Sequence, residues 1–292
     1  LKISMLVILI IIFLTGSITI IHLTTTTMDF SRYNPYWNGT SIFFEKAKSY
    51  HVKEISSIGN IEGLKNSSLL IISPLQDFSD NDATSIRKFL QNGNSLFLID
   101  DFGTGNNLLK LLNSHIKISS FALAGVDRDY KDPASLIAYS LNKSRITNGI
   151  DKISFDRPSY VNGGEALIDT SLLSWPEPAN SSVNTRVGPI GRYNLFAKES
   201  YGNGEIFVLA DPSIFINSMQ NTISGSPGIT LITNILTYRD TTLILMSNSR
   251  LSQANEFIPV IEQIKQVDIY KSILIILISI ICLLFVRYKF ED

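Results

Sequence analysis

Reactive side chains are scarce in this chain. It carries one cysteine, Cys282, and three histidines, His22, His51 and His115. A lone cysteine in the second terminal apolar run leaves the central residues without a disulfide, a thiol nucleophile or a cysteine-ligated metal. Three scattered histidines are too few for a metal triad: His22 reads as interfacial, the others as ordinary loop or strand residues. Charged residues make up 17% of the chain and the net charge is −1. That excludes a basic field for nucleic acid and an acidic tail, so no nucleic-acid partner is expected. Gly103-Thr104-Gly105 invites a phosphate-loop reading, but no Gly-Lys-Ser/Thr follows it. Neither Gly-x-Ser-x-Gly nor His-Glu-x-x-His occurs, and no internal repeat is visible. No cofactor is expected.

What the chain does have is apolar residues at both ends. Ile3–Leu23 and Ile273–Val286 are its longest apolar runs. A helix over the first would reach roughly 30 Å, the thickness of a hydrocarbon core. It reads as an uncleaved anchor; the competing reading is a signal peptide centred on Leu6–Leu14, but no small-x-small cleavage site follows. Arg287 and Lys289 follow the second run directly, which places the C-terminus in the cytoplasm by the positive-inside rule, and Lys2 votes the same way. The expectation is therefore a membrane partner crossed twice, both termini cytoplasmic and the centre extracytoplasmic, with a protein partner in the envelope. The alternative is that each apolar helix belongs to the core of a large soluble domain. The expected division is an anchor over 1–23, a linker over 24–37, and an α/β domain over 38–245. An amphipathic juxtamembrane helix over 251–270 and a transmembrane helix over 271–288 follow.

Within the central region, Asn38-Gly39-Thr40-Ser41 offers caps to a helix through about Tyr50, and His51–Ser57 alternates as a strand. Leu69–Ser73, stopped by Pro74, and Ser95–Asp100 are continuous apolar runs, the pattern of strands buried on both faces. Between them Ser79 caps a helix with Ile86, Phe89 and Leu90 on one face, ended by Asn92-Gly93-Asn94. Strand, helix, strand, helix at this spacing predicts a mostly parallel α/β sheet. Residues 121–190 are turn-rich and predict an irregular or antiparallel insertion, with short strands over Ser135–Ser140 and Ala166–Thr170. Tyr193–Glu199 and Glu205–Ala210 flank a hairpin turn at Tyr201–Gly204; Gly228–Tyr238 reads as helix, and Asp240–Leu245 is ambiguous. Glu256–Tyr270 reads as an amphipathic helix.

Carboxylates stand where predicted strands end: Asp77, the pair Asp100 and Asp101, and Asp211. Loops leaving the carboxyl ends of parallel strands converge on one crevice, the usual ligand site. Clustered there, these groups would hold a divalent cation or act as acid and base. The plainer reading is that each aspartate caps the turn that follows it. Asn34 and Asn217 join the candidate ligand-binding set, and no metal ligand is assigned outright. Asn38, Asn66, Asn142 and Asn180 begin Asn-x-Ser/Thr sequons and are the glycosylation candidates.

Certain segments carry a resemblance. They are Ser31-Arg32-Tyr33-Asn34-Pro35 with Gly39-Thr40-Ser41, Leu70–Pro74, Asn92–Asp101, and Gly202-Asn203-Gly204 through Asp211-Pro212-Ser213 to Asn217. In them the chain resembles the membrane-anchored domain-of-unknown-function family DUF4350, related to class I glutamine amidotransferase-like folds. It is also similar to the external domain of gliding-type ABC-transporter auxiliary proteins. The resemblance implies a flavodoxin-like α/β sheet and an archaeal envelope protein, and it supplies no activity. An amidotransferase would carry its cysteine at the turn after Ser95–Ile99, where this chain reads Asp100-Asp101-Phe102-Gly103. The expected function is a binding or scaffolding domain without amidotransferase chemistry. The alternatives are a divalent-metal hydrolase using the aspartates and an accessory subunit of an ABC-type transport complex.

Overall fold

The computed structural model describes residues 2–59, 61–126, 132–180, 185–220 and 226–266. Two compact units divide the chain, residues 1–26 with 254–292, and residues 27–253.

In chain order the helices are α1 (Lys2–Thr24), α2 (Ser41–Ala47), α3 (Asp80–Gln91), α4 (Gly105–Leu111), α5 (Asn217–Gln220), α6 (Pro227–Leu236) and α7 (Ile258–Gln266). The first strands are β1 (Val52–Ile55), β2 (Ser67–Ile72), β3 (Ser95–Ile99), β4 (Lys117–Ile118), β5 (Phe121–Gly125), β6 (Ser135–Ser140) and β7 (Lys152–Asp156). They are followed by β8 (Val161–Asn162), β9 (Glu165–Thr170), β10 (Ser174–Pro178), β11 (Asn194–Tyr201), β12 (Gly204–Leu209) and β13 (Thr241–Leu245).

Nine strands form one sheet in the order β1-β13-β2-β3-β12-β11-β9-β6-β7. From β1 to β12 every pairing is parallel; from β12 to β7 every pairing is antiparallel. The change of sense is made by the turn at Gly202, whose φ of 57° a residue with a side chain adopts only with strain. The expected mostly parallel, flavodoxin-like or amidotransferase-like sheet is thus corrected to a mixed one. The residues 121–190 are the reason: they supply β6, β7 and β9 to the main sheet, while β5 and β10 form a separate two-stranded ribbon.

The parallel half is apolar on both faces because its strands are continuous apolar runs. Leu70, Ile72, Phe97, Ile99, Phe207 and Leu209 point to one side, where α2 and α6 contribute Phe43, Phe44, Leu231 and Ile235. Leu69, Ile71, Leu96, Leu98, Ile206 and Val208 point to the other, under Ile86, Phe89 and Leu90 of α3 and Leu108 of α4. The α3 N-terminus is held by the expected cap, Ser79 and Asp82 exchanging hydrogen bonds as a capping box.

The expected membrane layout is also overturned. Among the described residues no helix is long and apolar enough to cross a membrane. α1 forms over the predicted run, but Thr15, Gly16, Ser17, Thr19, His22 and Thr24 interrupt its second half, so the continuous apolar stretch is shorter than the helix. The Thr15 and Thr19 hydroxyls donate back to the carbonyls of Ile11 and Thr15, each at 2.8 Å. The second predicted span, Ile273–Val286, lies outside the described residues. Two spans, the membrane as partner, the extracytoplasmic placement and the envelope partner inferred from it are all withdrawn.

Candidate functional site

The strand-end carboxylates come first. Asp100 follows β3 and is 1% exposed; Asp211 follows β12 and is fully buried. Both carboxyls are pushed up to about 7, by burial above all. Asp101 is also raised, chiefly by burial, and its charge opposes ionisation of both Asp100 and Asp211, so these three are neighbours. Asp77 is exposed in the loop between β2 and α3.

The partners of the buried pair are backbone amides. Gly103 N–H donates to Asp100 Oδ1 at 3.1 Å and Gly105 N–H to Oδ2 at 2.8 Å. Ser213 N–H donates to Asp211 Oδ1 at 2.7 Å, and Asp156 N–H, at the end of β7, to Oδ2 at 3.0 Å. The Gly-x-Gly of the sequence is explained here. A Cβ at Gly103 would lie 2.5 Å from Asp100 Oδ1 and from Pro74 O, and one at Gly105 2.7 Å from Asp100 Oδ2. These glycines admit a carboxylate, not a phosphate. Backbone bonds also close the strand ends: Ser73 N–H to Ile99 O at 2.8 Å, Asp100 N–H to Leu209 O at 3.0 Å and Arg250 N–H to Ser73 O at 3.1 Å. Among the described residues no group of three or more His, Cys, Asp or Glu is arranged to hold a metal ion.

Asn34 and Asn217 are brought together, by architecture. Asn217 Nδ2 donates to Asn34 O at 3.1 Å, Tyr36 O at 2.6 Å and Ser41 Oγ at 3.1 Å, and its Oδ1 accepts from Ile42 N–H at 2.9 Å. Asn34 Nδ2 reaches Met28 O and Asn38 Oδ1, each at 2.9 Å, and its Oδ1 accepts from Tyr36 N–H at 2.8 Å. Both asparagines are buried and tie the 28–41 loop to the start of α5. Of the sequons, Asn66, Asn142 and Asn180 are exposed, whereas Asn38 is bonded through its amide to Asp29 and Asn34.

His115 makes a contact that sequence reasoning missed. Its Nδ1 lies 2.7 Å from Glu199 Oε1, with the ring 89% exposed. Burial raises the Glu199 carboxyl, but hydrogen bonds from Ser114 and His115 more than offset it and hold it below the usual range. Ser114 and His115 both bond the same carboxylate. The ring therefore does not stand between hydroxyl and acid, as a catalytic triad requires.

The open surface lies on the antiparallel half. Register sets Asn194 opposite Asp169, Asp169 opposite Tyr139 and Tyr139 opposite Lys152, a row sharing one face of the sheet. A groove of about 750 Å³ is lined there by Tyr139 and Leu141 at the end of β6, Asp169 of β9 and Val126 after β5. Leu172 and Leu173, in the turn before β10, and Arg192, before β11, complete it. Its apolar members are well exposed: Val126 60%, Tyr139 44%, Leu172 63% and Leu173 54%. Arg192 also lines a second depression of about 510 Å³ that holds Tyr160, Tyr193 and Gly163-Gly164. Asp169 Oδ1 is buried without a hydrogen-bond partner; burial raises this carboxyl while the charge of Arg192 lowers it. None of these groove residues was singled out from the sequence. One signal was present: two adjacent leucines in a turn, where polar residues are the rule.

A family model described as a domain of unknown function, DUF4350, matches residues 32–222. No curated protein matches the chain. Among solved structures it is similar to one titled mmIFT52 N-terminal domain, with 16% identity and a TM-score of 0.49 over 69% of this chain and 91% of that one. It is also similar to a β-galactosidase from Bacillus circulans sp. alkalophilus, with 12% identity and a TM-score of 0.33 over 59% of this chain and 22% of the enzyme. A cytoplasmic protein from Salmonella typhimurium shows 13% identity and a TM-score of 0.35 over 66% of this chain and 78% of that one. At these scores the likenesses carry no argument about function.

Proposed function

The chain belongs to the DUF4350 family, and from that premise we propose that residues 27–253 form a binding or scaffolding domain that takes an apolar ligand in the groove beside Leu172 and Leu173. One observation carries this reading: a contiguous set of large apolar side chains, Val126, Tyr139, Leu141, Leu172 and Leu173, stands exposed around a single groove. Exposed apolar patches of this kind mark binding surfaces, and the groove's volume falls within the range of ligand sites. Chemistry at the strand ends is disfavoured by the same physical reasoning. Asp100 and Asp211 are buried and bonded to backbone amides, out of reach of a substrate. The turn after β3, where an amidotransferase nucleophile would stand, holds Asp100-Asp101-Phe102-Gly103.

The test uses Nile red, a neutral dye that fluoresces in apolar sites. Saturable binding that weakens by roughly tenfold in a Leu172→Asp, Leu173→Asp double variant is expected, since each leucine contributes about 1 kcal/mol or more when covered. Equal binding by wild type and variant would refute the groove. Turnover of glutamine or of a phosphate ester with Mg²⁺, lost in Asp101→Asn, would refute the non-catalytic reading.

A further inference from the structure

The groove contains two charges of opposite sign that do not pair with each other. Asp169 and Arg192 both line it, and Arg192 is close enough to act electrostatically on Asp169. Asp169 Oδ1 nevertheless has no hydrogen-bond partner, and the Arg192 guanidinium makes no hydrogen bond or ion pair among the described residues. Four other arginines of this domain are engaged: Arg32 with Glu54, Arg87 with Leu111 O, Arg145 with Thr237 O and Arg239 with Glu205. An acid and a base held apart beside an apolar wall complement a ligand that carries one ammonium, one carboxylate and an apolar body.

Resting on the groove-binding reading, we propose that the site takes a free apolar α-amino acid of the leucine or phenylalanine class. Its ammonium is received by Asp169, its carboxylate by Arg192, and its side chain lies among Val126, Leu172 and Leu173. Arginine suits the carboxylate because the guanidinium offers two parallel N–H donors. Asp169 is half-buried at the groove wall, where a charge-assisted hydrogen bond from the ammonium is stronger than one between neutral groups. A free amino acid fits better than a peptide, because its two charges are one carbon apart. Each added residue moves the termini of a peptide roughly 3.3–3.6 Å farther from one another.

The experiment is isothermal titration of the full chain with L-leucine and L-phenylalanine, beside N-acetyl-leucine, leucinamide and tri-leucine. Saturable binding of at least one free amino acid is expected. Acetylation, amidation, Arg192→Gln and Asp169→Asn should each weaken it roughly tenfold, the size of one charge-assisted hydrogen bond. Arg192 is exposed, so its variant keeps the fold, and an unchanged melting temperature without ligand verifies this. No binding of either amino acid at millimolar concentration overturns the proposal. So does binding indifferent to both variants, or binding of tri-leucine alone. Nile red is titrated in parallel to separate two failures: dye retained in the groove without amino-acid binding defeats only the ligand assignment, whereas loss of both defeats the groove itself.

Discussion

The two halves of the nine-stranded sheet are built by different rules. In the parallel half, β2 and β3 are buried at every position. In the antiparallel half, β7 alternates between buried and more exposed residues, while β6 and β9 mix buried stretches with partly or fully exposed positions. Continuous apolar strands need cover on both faces, and helices on each side provide it. Strands that keep exposed positions, such as Tyr139 in β6, need less cover and leave those side chains to face outward. Burial is therefore most complete in the parallel half, and the proposed binding groove lies on the antiparallel one, although a single sheet runs through both.

The largest expected effect sets the two halves directly against one another. Phe97 of β3 is fully buried and stacks on Phe207 of β12 with ring centroids 4.6 Å apart. Phe97→Ala should cost about 3–5 kcal/mol in urea unfolding. Tyr139→Ala, at an exposed position of β6, should cost under about 1 kcal/mol. Equal costs would break the contrast.

The next effect is on pH dependence. The folded carboxyls of Asp100 and Asp211 sit near 7 against an ordinary value of 3.8. A group raised in this way keeps its proton longer folded than unfolded. Stability is then greatest below about 4, falls as pH rises toward 7 and levels off above it. The urea midpoint should accordingly drop between pH 5 and pH 7, and Asp211→Asn should reduce that slope. A midpoint that rises over this range would refute the sign.

How much of this was legible in the sequence follows the same division. β2, β3, α3 and the β11–β12 hairpin were readable because their signals are local: unbroken apolar runs, a Ser79 cap, a glycine turn. β13 was ambiguous because Thr241-Thr242-Leu243-Ile244-Leu245 is short, yet it lies between β1 and β2. Its place is set by pairing with residues far away in the chain. The antiparallel half was hidden for the same reason, since Tyr139 meets Asp169 only through register. Asp100, Asp101 and Asp211 were expected at one end of the sheet, and the charge of Asp101 does act on both Asp100 and Asp211. That Asp100 bonds the amides of the turn after it depends on the close approach of Gly103 and Gly105, which spacing alone does not reveal. The first terminal run misled in the other direction, because the polar residues of its second half were read as tolerated within a span.

Glycine substitutions sharpen the contrast at a smaller scale. Gly103→Ala would drive a Cβ within 2.5 Å of Pro74 O, a backbone atom that cannot swing aside. The expected cost is about 1–3 kcal/mol. Gly191, at the entrance to β11, has nothing within 4 Å of such a Cβ, so Gly191→Ala should change stability by less than about 0.5 kcal/mol. Thermal melts of the two variants report this.

The smallest expected effect on stability tests the division most sharply. Leu172 is 63% exposed, so Leu172→Ser removes little buried surface and the unfolding free energy should move by no more than about 0.5 kcal/mol. Nile red affinity should still fall severalfold, because the leucine is covered only when the groove is filled. Stability and binding would then come apart in one substitution, as they must if the antiparallel half presents a surface that the fold does not need. A Leu172→Ser protein that unfolded early while binding dye normally would mean that the turn belongs to the core and that recognition lies elsewhere.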